Sequence, residues 1–119
     1  MVEFALVLPV LCLLLFAVIQ FGILFNNYIT LTDAVRAGAR KAAVSRNLGA
    51  SAAVAAAQAA VRTSASDLEQ PKLADPTVTS TWAHADPVTV CAKYPYSLNL
   101  VGFVAASGNL TSCTKERVE

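Results

Sequence analysis

No charged side chain occurs between Glu3 and Asp33, and residues 4–25 are apolar except for Pro9, Gln20 and Gly22. As a helix, that run of 22 residues extends about 33 Å, enough to cross a hydrocarbon layer of about 30 Å. None of its sides is polar, whereas a helix resting on a water-soluble core would show a polar face. The run is too long for a cleavable signal peptide and no basic residue precedes it. It reads as a membrane-spanning or equivalently buried helix.

This run accounts for the unusual balance of the whole chain. In 119 residues 55% are hydrophobic and 14% charged, and the mean hydropathy is +0.54. Disorder is excluded by that balance, and the length argues against a two-domain enzyme. Nine Lys and Arg against eight Asp and Glu give no electrostatic footprint for a nucleic-acid backbone.

The remainder divides by composition into an α+β arrangement. Residues 33–65 are rich in Ala and carry Asp33, Arg36, Arg40, Lys41, Arg46 and Arg62, which predicts a helical extension of the apolar segment. Asn47, Gly49 and Ser51 mark a kink or short break, with Ser51 as a candidate cap for a restarted helix over 52–62. A connector follows over 63–76, with one turn suggested by the capping-box spacing of Ser66 and Glu69. Residues 77–82 and 88–94 are β-branched and aromatic and predict an antiparallel hairpin turning over 83–87. Pro95 is expected to close the second strand, 97–104 to form an apolar bend or short helix, and 110–118 to return as a third strand. Three units result: a transmembrane or filament-core helix over 1–32, an Ala-rich extension over 33–65, and a connector with a small extracytoplasmic β-domain over 66–119.

Cys12 sits in the apolar run as a small hydrophobe. Cys91 and Cys113 fall in two predicted strands, where a disulfide is the favoured reading and a pair of buried reduced thiols the alternative. His84 has no ligand-like spacing with either, so no metal is expected. A disulfide places this part outside the cytoplasm. The basic residues after the helix would place it inside by the positive-inside rule. A basic leader, removed or outside the chain as given, resolves the conflict.

The opening Met1-Val2-Glu3-Phe4-Ala5-Leu6-Val7-Leu8-Pro9-Val10, an acid directly before a long apolar helix with Pro in its third turn, resembles the TadE-like family of type IV pilin-like proteins of tight-adherence pili. The segment from Leu31 to Ala43, Leu-Thr-Asp-Ala-Val-Arg-Ala-Gly-Ala-Arg-Lys-Ala-Ala, is similar to the small-residue-and-arginine stretch that follows the apolar helix in that family. Val88-Thr89-Val90 with Tyr94-Pro95-Tyr96 is similar to its strand pattern, and residues 114–119 are similar to its ending. The resemblance implies a structural subunit made with a basic leader, processed by a prepilin peptidase, and held in the inner membrane before assembly. Its partners would be copies of itself or related pilins in a helical filament, together with the pilus assembly machinery. Its place would be the bacterial cell surface, with an inner-membrane precursor pool. The chain differs from the pattern in having its acid at Glu3 rather than the fifth mature position, and Gln20 where an acid is frequent.

Under this reading Glu3 and Pro9 set assembly and register. A carboxylate at the edge of an apolar bundle is costly unpaired, and the α-amino group of a neighbouring subunit would pair it. A place at the lipid headgroups, favoured by the helix dipole, is the alternative. Pro9 removes a helix hydrogen bond and is expected to kink or loosen the turn before it. Phe16, Phe21, Gly22, Phe25 and Gly38 are the candidate helix-packing residues, although Gly38 and the Ala run also suit packing against the chain's own sheet.

Catalysis has little support. Asp67 and Glu69 do not share a helix face, His84 and Asp86 lack a placed nucleophile, and no Gly-rich phosphate loop occurs. No cofactor and no small-molecule substrate are expected. Two functions follow: a structural filament subunit, or a permanently membrane-anchored protein whose small extracytoplasmic domain binds a partner.

Overall fold

The computed structural model describes residues 1–100 and 102–118. It is an elongated α+β molecule of 71 × 23 × 19 Å, built from two α-helices and a three-stranded antiparallel sheet in the order β1-β2-β3 among the described residues. Helix α1 is Val2–Val44 and runs as one element through Pro9, so the loosening expected there does not interrupt it. A single turn of 3-10 helix, Ser45–Leu48, and Gly49 at φ +93° separate α1 from α2, Ala50–Ser64. The break is where Asn47 and Gly49 put it. The cap is not: α2 begins at Ala50 with Gly49 as its N-cap and no side-chain cap bond, so Ser51 lies inside the helix. The positive φ of Gly49 makes the turn without any side-chain acceptor.

The connector holds one 3-10 turn, Gln70–Lys72, with Glu69 at its N-cap position and no side-chain cap bond, so the expected Ser66 start is replaced by one three residues later. Gln70 supports it by donating to the Ala65 and Leu68 carbonyls at 2.7 and 3.3 Å. The strands are β1, Thr77–Thr79; β2, Pro87–Leu100; and β3, Phe103–Arg117. β1 is shorter than expected, because Trp82 and Ala85 take positive φ in a wider connection, held by Trp82 N donating to Ser80 Oγ at 3.0 Å.

The largest departure is the length of the β2–β3 hairpin. Pro95 does not end β2, and the bend or short helix expected over 97–104 is instead strand, with Leu100 paired to Phe103 across a turn where Gly102 has φ +88°; Val101 lies outside the described residues. Cys91 and Cys113 are directly opposite with Cα atoms 4.1 Å apart, the close spacing of a non-hydrogen-bonded pair. Counting from there, Pro95 opposite Asn109 occupies the same kind of site. The N–H that proline lacks would therefore point away from β3, toward an edge that β1 has already left, since β1 pairs only with Thr89, Val90 and Cys91.

The core lies between the C-terminal half of α1, α2 and the inner sheet face. Leu31, Ala34, Val35, Ala39 and Ala42 meet Ala57, Val61 and Ala65 of α2 and Val88, Val90, Ala92 and Tyr94 of β2. Gly38 marks the closest approach. A Cβ there would lie 2.3 Å from Val61 Cγ2, 3.1 Å from the Ala57 carbonyl oxygen and 3.6 Å from Val90 Cγ1. Small residues on both helices permit this contact, and the alternation of β2 presents its apolar set to it. Val118 closes the far end, exchanging backbone bonds of 3.0 and 2.9 Å with Ala85 and Asp86.

Candidate functional site

The residues singled out in α1 fall into two regions with different surroundings. Every residue from 2 to 16 is exposed, and an 18-residue apolar stretch of the helix has none of its residues buried. Glu3 lies in the first turn, and Phe16, Phe21 and Phe25 are all more than half exposed, at 53%, 51% and 64%. Cys12 is a free, exposed thiol. Apolar surface of this extent is not left in water, since contiguous patches beyond a few hundred Å² mark contact with a membrane or another protein.

From Ala17 onward one stripe of α1 is covered. Ala17, Gln20, Leu24 and Asn27 are half-buried and Leu31 and Ala34 fully so, a spacing of alternating three and four residues that keeps them on one side of the helix. The β2–β3 hairpin provides the cover. It runs back along α1 so that Tyr94, Tyr96 and Leu98 share with Gln20, Leu24 and Asn27 a cleft of about 150 Å³. Thr32 Oγ1 donates to the Tyr28 carbonyl at 2.9 Å and accepts from Ser112 Oγ of β3 at 3.3 Å, tying helix to hairpin. Lys72 closes one side of the cleft; its pKa is raised by its hydrogen bond and its ion pair with Glu69, 2.6 Å away.

The two candidate glycines are thereby separated. Gly38 is buried within the chain's own core, whereas a Cβ at Gly22 would meet nothing within 4 Å. At 100° per residue Gly22 lies nearly opposite the covered stripe. Asp33, Arg36 and Arg40 continue the same outer side and are exposed, with Asp33 and Arg36 3.7 Å apart.

The disulfide Cys91–Cys113 is formed, on the outer face of the sheet rather than in its core, with Cys113 exposed. His84 and Asp67 are exposed at separate places, and Asp86 is engaged with the Thr81 hydroxyl. Sequence reasoning missed the covered stripe. A helix that is apolar all round does not show which side its own domain will occupy; Gln20 and Asn27, two of its few polar residues, fall on the covered side, but the exposed Asn26 beside them makes that a weak signal.

Apolar opening, exposed span and the small-residue segment through Arg40 coincide with the reach of a family match. Residues 1–40 match the family described as TadE-like protein. No curated protein and no solved structure matches the chain. The matched segment contains the whole exposed span and ends just beyond Gly38, inside the part of α1 that packs in the core from Leu31 onward. It therefore takes in Glu3, Pro9, Phe16, Phe21, Gly22, Phe25 and Gly38.

Proposed function

We propose that this chain is a structural, non-enzymatic pilin-like subunit. It sits in the inner membrane by its apolar helix and assembles through that helix into an extracellular pilus of the tight-adherence type or its initiation complex. The carrying observation is the exposure of α1. A helix free of charge from Phe4 to Thr32 is left uncovered over residues 2–16 by a domain that packs only on its other half. The match of residues 1–40 to the TadE-like family supports the same reading.

The division of labour follows. Residues 1–32 serve first as membrane span and then as filament core, 33–65 as the Ala-rich support, and 66–119 as the outward part closed by a disulfide that an oxidising compartment maintains. Prepilin peptidase and the assembly machinery act on the exposed end of α1, and copies of the subunit or related pilins replace lipid around it. Glu3 sets register by pairing with the α-amino group of a neighbour, which offsets the cost of a carboxylate among apolar side chains.

The test is Glu3→Ala in the producing cell. Membrane fractionation is expected to recover the variant at the normal level, and sheared filaments to contain none. Normal incorporation removes the pairing role. Confinement of the unsubstituted chain to membranes, with none in filaments or an initiation complex, would favour a permanent anchor.

A further inference from the structure

The hairpin and the membrane span compete for the same length of helix. The half-buried stripe on α1 begins at Ala17 and the cleft that the helix shares with β2 reaches Gln20, leaving residues 2–16 exposed on all sides. Those 15 residues extend about 22 Å, some 8 Å short of a hydrocarbon layer of about 30 Å. A helix that spans the bilayer must therefore carry the end of the hairpin into the membrane with it. Beyond Leu98, which lines the cleft with Gln20, β2 continues two residues further toward the helix N-terminus, about 7 Å at strand rise.

The chemistry of that end agrees independently. Between Lys93 and Lys115 the hairpin carries no charged side chain, and its Tyr94–Leu98 part lies along the charge-free helix at Gln20, Leu24 and Asn27. Phe103 is 80% and Val104 64% exposed. Depth is limited by the backbone. The outer edges of a two-stranded ribbon carry N–H and C=O groups that hydrocarbon cannot satisfy, which confines the ribbon to the interfacial layer, about 5–10 Å deep.

We propose that the end of the β2–β3 hairpin, with Leu100, Phe103 and Val104, dips into the outer leaflet of the same bilayer that α1 crosses. It is then a second lipid contact that fixes how far the helix is drawn into the membrane. This rests on α1 being a membrane span. Withdrawal of the subunit for assembly must release the hairpin end as well as the helix.

The test uses the full chain in vesicles of phosphatidylethanolamine and phosphatidylglycerol containing brominated lipid. In a Trp82→Phe background, Phe103→Trp and Val104→Trp report the hairpin, and Phe16→Trp reports the helix. Expected is strong quenching at 103 and 104 by bromines placed near the headgroup and weaker quenching by bromines near the bilayer centre, with Phe16→Trp quenched deeply. Absence of quenching at 103 and 104 while Phe16→Trp is quenched overturns the inference and leaves the span intact. Absence at all three removes the span and the inference with it. Shielding that appears only at high protein-to-lipid ratio assigns the hairpin end to a second copy and also overturns it. Should the Trp82→Phe background fail to fold, hydroxyl-radical labelling of the unsubstituted chain in the same vesicles decides. Phe103 is expected to label several-fold less than in detergent-free soluble fragments of the unfolded chain, and equal labelling overturns the inference.

Discussion

Gly38 of α1 stands so close to Val61 of α2 that a Cβ on the glycine would lie 2.3 Å from Val61 Cγ2, with the Ala57 carbonyl oxygen 3.1 Å away on the same side. A valine methyl can rotate away; a helix carbonyl moves only with its helix. Gly38→Ala is expected to destabilise the folded part by about 1–3 kcal/mol through overpacking. The loss is expected to shrink when Val61→Ala is made in the same chain, because the two sites touch. Denaturant midpoints of the full chain in detergent micelles measure both. An additive double variant would show that the backbone contact with Ala57, rather than the methyl, sets the cost.

The disulfide joins neighbours on the exposed side of the sheet, so its removal leaves no cavity. Its contribution is the restraint it places on the unfolded chain across a separation of 22 residues, about 3 kcal/mol in the chain-entropy account. Reduction with dithiothreitol and the double variant Cys91→Ser, Cys113→Ser are expected to lower stability by the same amount. Hydrogen exchange is expected to rise first at the Phe103 end of the hairpin. A double variant much less stable than the reduced protein would point to packing by the sulfurs instead.

Much of this architecture was legible in the residues. The charge-free run, the Ala-rich continuation and the weak spot at Asn47 and Gly49 each have a local cause, and each appears where that cause lies. Pro95 did not behave as a stop because its missing N–H faces a free edge, a fact of register that depends on where β1 ends. The covered stripe from Ala17 to Ala34 was only faintly legible, in Gln20 and Asn27, for a related reason. It exists only because the hairpin outlasts Pro95 and folds back on a helix whose sides are otherwise alike. The Phe16, Phe21 and Phe25 side chains remain exposed in the single chain, as residues that meet lipid or another subunit would be.

Gly49 joins the two helices with φ +93° and ψ 155°, a region open essentially to glycine alone. Nothing lies within 4 Å of a Cβ there, so the cost of substitution is in the backbone. Gly49→Ala and Gly49→Asn are expected to destabilise the folded part similarly, by about 1–3 kcal/mol. Asparagine brings no relief, since its tolerance is for the left-handed helical region at lower ψ. Thermal unfolding followed by circular dichroism gives the comparison. Equal stability of Gly49→Asn and the unsubstituted chain would show that the junction relaxes to that region.

Gly22 differs from Gly38 in having open space around it and in facing away from the hairpin. Gly22→Leu adds a side chain whose Cβ has open space around it in the single chain, and it replaces a weak helix former by a strong one. The unfolding midpoint in micelles is therefore expected to stay the same or rise slightly. Close helix approach between subunits would be lost at the same time, because it depends on a smooth surface at that point. Recovery of the variant in sheared filaments is expected to fall sharply while its membrane level is unchanged. Gly38→Ala should show the reverse order, with folding affected first and assembly only through the loss of folded subunit. Normal filament recovery for Gly22→Leu would place the subunit contacts on another side of α1, toward Phe16.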